Sequence, residues 1–293
     1  MKKSFLSAIC AMAVLFSCKP GSTNPSETGL PSGDSTAVET TLASAGDEAV
    51  FDSLKTDTVS FEKMEDIFKL GLSAEYPVAG GDSVVKAVRE FINDFLGGAY
   101  DGPLADGKKM IKRNGELMWG TFMERCGDAD TEDANELFLY MTVSKVFETK
   151  SFVSFMASTT QYTGGLHGIG FDEGRTFSKV TGKSFGYDMM KDLDTPAFKR
   201  LIKEGLRKYF SNEGEKKVLN DEELLEELIG FDGSIDELPL PDSEPYISEK
   251  GVTFIYQPYE ISYYAAGKPE FTIPLDAAKP FLKPQAIELF LNR

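Results

Sequence analysis

Two runs rich in β-branched and aromatic residues, Leu137 to Phe147 and Phe152 to Gln161, stand either side of Glu148-Thr149-Lys150-Ser151. Such side chains favour the pleated, half-buried surface of a strand, and a break of this length suits a hairpin loop. The pair predicts one long antiparallel hairpin, around which the rest of the chain must build a sheet. Its second strand runs into Gln161-Tyr162-Thr163-Gly164-Gly165-Leu166-His167-Gly168, which holds three glycines in five residues and the only histidine of the molecule. Glycine adopts positive φ without a steric penalty, so a shaped loop is expected at the strand's end.

The flanking segments supply partners for that hairpin. Strands are expected around Val50 to Phe61 and Ile67 to Tyr76, the second with Phe68, Leu70 and Leu72 alternating before Pro77. Val84, Val85, Val88, Phe91, Ile92, Phe95 and Leu96 recur at the spacing of one helix face, with Asp82 or Ser83 as a cap and Gly97-Gly98 as the stop. A second helix is expected from about Ala105 to Arg125. Beyond the glycine loop come a strand at Gly170 to Ser178 and a helix capped by Thr195 with Pro196 first, whose stripe is Phe198, Leu201, Ile202, Leu206, Tyr209 and Phe210. Asn220 with Glu223 reads as a capping box. Strands at Gly251 to Tyr256 and Phe271 to Ile273 and two short helical turns close the chain. Strands and helices come in clumps without strict alternation. The expected class is therefore α+β: a mainly antiparallel sheet with helices packed on it, in two closely associated subdomains, 49–150 and 151–293.

The first 48 residues carry an address instead of a core. Residues 1–17 have Lys2 and Lys3 before a short apolar run, the layout of a secretory signal, and Leu15-Phe16-Ser17-Cys18 looks like a lipobox. Cys18 is then the expected lipidated N-terminus, and 18–48, rich in Ser, Thr, Gly and Pro, a flexible tether. The expected location is the cell envelope outside the cytoplasm, on the periplasmic side, with the membrane reached through the lipid. Of the three cysteines, Cys10 would leave with the signal and Cys18 carry lipid, so Cys126 would have no intrachain partner for a disulfide and is expected as a small buried hydrophobe. The formal charge is −16, and loss of the signal leaves 29 basic against 47 acidic residues. Such a surface repels phosphate backbones, so no nucleic acid partner is expected.

Three pieces resemble a known family. They are Tyr162-Thr163-Gly164-Gly165-Leu166-His167-Gly168, then Phe177-Ser178-Lys179-Val180-Thr181-Gly182-Lys183 leading to Tyr187-Asp188-Met189-Met190, then Phe254 to Gly267 with Phe271-Thr272-Ile273-Pro274-Leu275. Together they resemble the extracytoplasmic domain of RsiV-like anti-sigma factors and PdaC-like peptidoglycan deacetylases, a domain of unknown function common in bacterial envelope lipoproteins. In the anti-sigma members this region is a sensor that binds lysozyme; in the deacetylases it sits beside a separate catalytic domain. The resemblance implies a sensor-like module with an envelope protein or a peptidoglycan-related ligand as partner.

The candidate binding residues are Tyr162, His167, Tyr256, Gln257, Tyr259, Glu260 and Tyr264, on the glycine loop and on the aromatic-polar segment that follows the strand ending near Tyr256. Tyrosines offer faces and hydroxyls of the kind that contact sugars or proteins. One histidine falls short of the three or four ligands of a zinc site, and no nucleophile elbow accompanies it. No cofactor, metal or catalytic residue is expected. The leading function is a non-catalytic binding module. A hydrolase of envelope glycans using His167 and Glu260, and a structural lipoprotein without ligand, are the alternatives.

Overall fold

A computed structural model describes residues 53–127, 136–211, 218–229, 231 and 233–291. The expected signal, the lipidation site at Cys18 and the tether lie outside the described residues. Strand β1 (Lys55–Glu65) and strand β2 (Phe68–Ala79) form a hairpin with Glu65 opposite Phe68. Strand β1 runs four residues beyond the expected Phe61. Its outer half, Glu62-Lys63-Met64-Glu65, is exposed and mostly charged, which hides a strand from a hydrophobicity reading while protecting a sheet edge.

Helices α1 (Asp82–Phe95) and α2 (Gly107–Cys126) then carry the chain back so that β3 (Leu137–Glu148) pairs parallel with β2, Phe68 beside Leu137. Helix α1 begins after Gly81, and neither Asp82 nor Ser83 provides the cap expected of them, since no side chain caps this end. Strand β4 (Phe152–Tyr162) completes the expected hairpin, Phe138 opposite Tyr162, and β5 (Ile169–Ser178) adds a fifth strand in the order β1-β2-β3-β4-β5. Thr149 sets the hairpin turn, its hydroxyl oxygen accepting from the backbone N–H groups of Ser151 and Phe152, both at 3.2 Å. This turn, beside the expected boundary between 150 and 151, joins neighbouring strands of one sheet. Val88 and Ile92 from α1, Met110, Ile111 and Phe122 from α2, and Leu70, Leu72, Val143 and Phe155 from the sheet share one buried cluster. Cys126 is buried at its margin, and that burial pushes its thiol above the usual range.

Helix α3 (Pro196–Phe210) departs from expectation. It packs on a second sheet, the antiparallel β6 (Tyr246–Ser248), β7 (Gly251–Ile255) and β8 (Glu270–Pro274), and not on the main one. Phe198, Ile202 and Leu206 meet Phe254, Phe271 and Ile273 in a separate core, with the Phe198 and Phe254 rings 6.2 Å apart. Each fully buried phenylalanine of this kind stabilises by about 1.5–3 kcal/mol. The contact is close because α3 has Gly205 where it crosses β8: a Cβ there would stand 2.1 Å from the Phe271 ring. Gly205→Ala is accordingly expected to destabilise by up to about 2 kcal/mol in urea unfolding, overpacking of about 1–3 kcal/mol being offset in part by the roughly 1 kcal/mol gain in helix propensity. An unchanged or raised midpoint would contradict this packing. Short helices α4 (Asp221–Glu227), α5 (Leu275–Ala278) and α6 (Pro284–Leu291) complete the fold; α4 has the Asn220–Glu223 capping box in full.

Candidate functional site

The glycine loop, residues 163–168, links β4 to β5 and is shaped by Gly164 and Gly165 at φ 99° and 95°. A Cβ at either would meet nothing within 4 Å, so conformation and not crowding is what calls for glycine there. Tyr162, half-buried at the end of β4, donates its hydroxyl to the Gly165 carbonyl at 2.9 Å and holds the loop across its base. Leu166 at the tip is 96% exposed.

The segment between β7 and β8 reaches the loop because Gln257 acts as a strand neighbour of β5. Its side-chain oxygen accepts from the Asp172 N–H at 3.1 Å while its nitrogen donates to the Asp172 carbonyl at 2.7 Å and to the Ser243 hydroxyl at 2.9 Å. An ion pair from Lys268 to the Asp172 carboxylate adds a second tie. Glu260 holds the turn that follows, one oxygen accepting from the Gln257 N–H and the other from the Asp242 N–H, both at 2.6 Å. Burial lifts its pKa above the usual carboxylate range; the two N–H donors pull it down and the Asp242 charge raises it. Tyr259, inside this turn, is at φ 68°, a left-handed conformation that a tyrosine rarely adopts.

That strained turn aims Tyr259 at the histidine. The His167 and Tyr264 rings stack with centroids 3.7 Å apart and 16° between planes. Tyr259 lies beside them, its ring 28° from the His167 plane with centroids 6.5 Å apart, and its hydroxyl is 3.2 Å from His167 Nε2. His167 Nδ1 is 2.9 Å from the Gly168 carbonyl, which can only accept. The proton therefore sits on Nδ1, and in the neutral ring Nε2 accepts from the Tyr259 hydroxyl.

Of the seven sequence candidates, the structure gathers His167, Tyr259 and Tyr264 into one exposed cluster, with Tyr162 bracing the loop below it. Tyr256 is elsewhere: it is buried in the second core, its hydroxyl bonded to the Pro239 carbonyl at 2.5 Å and its pKa raised by burial. Gln257 and Glu260 are engaged by backbone groups and act as braces. Leu166 was absent from the sequence candidates, although an apolar residue inside a glycine loop, with no neighbour to bury it, is a readable signal. Among the described residues no group of three or more His, Cys, Asp or Glu side chains is arranged to hold a metal ion, and no helix is long and apolar enough to cross a membrane.

The fold and this cluster define an α+β protein of two sheets and two cores that displays an aromatic site where a loop of one sheet meets a loop of the other. Residues 188–276, spanning α3 to the start of α5, match the model of DUF3298, a family described as of unknown function. A DUF3298 family protein from Pseudomonas aeruginosa shares the fold at a TM-score of 0.54 and 15% identity, over 80% of this chain and 96% of that one. A DUF3298 family member from Bacteroides fragilis does so at 0.56 and 19%, over 81% and 96%. No curated protein matches the chain.

Proposed function

We propose that this chain is the binding module of a lipid-anchored envelope protein, a sensor-like relative of the RsiV-like and PdaC-like domains, and that the His167–Tyr259–Tyr264 cluster is its contact surface. The observation that carries this reading is Tyr259: its backbone is strained at φ 68°, yet its side chain remains 51% exposed. Strain at a non-glycine residue costs about 1–3 kcal/mol and is held where the surrounding structure has another use for the side chain. The ring contributes little to the core, so the use is at the surface. The signal-like N-terminus and lipobox support the envelope address.

Binding is favoured over hydrolysis by the engagement of Glu260, whose two oxygens each accept a backbone N–H, leaving the second carboxylate of a glycosidase pair unassigned. Envelope extract passed over immobilised protein is expected to leave bound material on the wild type and none on Tyr259→Gly. This substitution suits the positive φ, so unfolding free energy should stay level or rise by up to ~1 kcal/mol. Equal capture by both proteins overturns the reading. Turnover of a glycan or peptide substrate that disappears in His167→Ala, with folding intact, would make the protein an enzyme.

A further inference from the structure

We propose, resting on the reading above, that the cluster takes a neutral oligosaccharide carrying acetamido groups. The first reason is the shape of the surface. The His167 and Tyr259 ring planes are 28° apart and the two rings meet through Nε2 and the tyrosine hydroxyl, so they present adjoining aromatic faces, and Tyr264 backs the imidazole at 3.7 Å. Adjoining aromatic faces match consecutive sugar rings, whose C–H groups are polarised positive by their oxygens and meet the negative face of an aromatic ring.

The second reason is the polarity of the cluster and of its surroundings. Both imidazole nitrogens have partners, in Gly168 and Tyr259, so the histidine offers a ligand the ring face opposite Tyr264 and not an open nitrogen edge. Lys268, on the same stretch of chain, is paired with Asp172, and the whole chain carries a formal charge of −16. That pairing and the net negative charge disfavour a phosphate-bearing or otherwise anionic ligand. The Tyr264 hydroxyl, with no hydrogen bond to any described residue, is available to a sugar hydroxyl. Leu166, 96% exposed and next to His167 in the chain, supplies an apolar side chain by which the methyl of an acetamido group would be covered.

The lone histidine makes the test direct, because its ring C–H signals in an NMR spectrum of untagged protein belong to one residue. Titration with triacetylchitotriose up to about 10 mM is expected to shift those signals saturably, with cellotriose binding about tenfold more weakly. Tyr264→Ala should weaken the chitotriose titration about tenfold or more, and Leu166→Ser should bring the two sugars to equal affinity. The proposal is overturned if chitotriose leaves the His167 signals unmoved, if a lysine hexapeptide shifts them and the sugar does not, or if the two sugars bind wild type equally. Should chitotriose fail while Tyr259→Gly still abolishes envelope capture, the ligand class falls and the binding-module reading stands. Failure of both removes both.

Discussion

Glu148→Ala is expected to lower the unfolding free energy by about 3–5 kcal/mol, the range for removing one partner of a buried ion pair. The Glu148 side chain is 9% exposed and ties three distant parts of the main sheet together. One oxygen accepts from the Leu54 N–H at 2.6 Å and from the Lys179 ammonium at 2.9 Å; the other accepts from the Ser53 hydroxyl at 2.8 Å and from Lys145 at 2.9 Å. Removing the carboxylate takes the ion pair from two ammonium groups, which keep the Leu54 carbonyl (Lys145, 2.9 Å) and the Thr149 carbonyl (Lys179, 3.3 Å), and releases the entry into β1. Burial pushes the Glu148 pKa up, but the Leu54 N–H, the two lysines and the Ser53 hydroxyl outweigh it and hold the value below the ordinary carboxylate range.

The sign of the pH dependence follows. A carboxyl whose folded pKa is depressed binds its proton more readily in the unfolded chain. Its stabilisation is complete above the unfolded value, about 4.3, and fades as pH falls through the lower folded value. Urea unfolding of wild type and Glu148→Gln at pH 7 and at pH 3 should show a gap that narrows in acid. A gap that stays constant would mean the carboxylate's charge is not what holds these strands.

Thr176→Val is expected to cost about 2–3 kcal/mol, although it keeps the shape of the side chain and lies in no proposed binding surface. Thr176 and Ser154 face each other across β4 and β5, both fully buried, and together they join the main sheet to β6. The directions are fixed by the backbone of Ile247. Its carbonyl accepts from Ser154 Oγ at 2.6 Å, its N–H donates to Thr176 Oγ1 at 2.8 Å, and the two hydroxyls are 2.7 Å apart. Ser154 has given its proton to the carbonyl, so Thr176 must donate to Ser154, and the four groups close a ring in which each bond polarises the next. Valine leaves the Ile247 N–H buried without a partner. Ser154→Ala combined with Thr176→Val should fall short of or exceed the sum of the single effects, since the groups share one network. Strict additivity in urea unfolding would show that the ring does not act as a unit.

Much of the secondary structure was readable from residue order because its causes are local. The hairpin at 137–161 follows from branched and aromatic side chains around a four-residue break, and α1, α3 and the Asn220 cap follow from helical spacing and capping chemistry. Helix α3's partner was not readable, because an amphipathic stripe states that a face will be buried without stating against what. Gly205, which in sequence looks like a weakness in a helix, admits Phe271. Strand β1 ends later than residue order suggests because its final residues are charged and lie on a sheet edge.

The candidate site divides along the same line. Glycine at 164, 165 and 168 and a tyrosine-rich segment 90 or so residues later were visible as unusual composition, and the conformational freedom of glycine made a shaped loop the expected outcome. Which tyrosines face solvent was not visible. Tyr256 and Tyr259 are three residues apart, yet one is sealed in a core and the other stands half-exposed, because Glu260 clamps a turn that reverses the backbone at Tyr259. Residue order determined the elements, the loop and the supply of aromatic rings, all of which depend on neighbours within a few positions. Only the tertiary structure, through Gln257 pairing with β5 across 85 positions of chain, brought His167 against Tyr264, since a contact between distant segments depends on how both sheets pack.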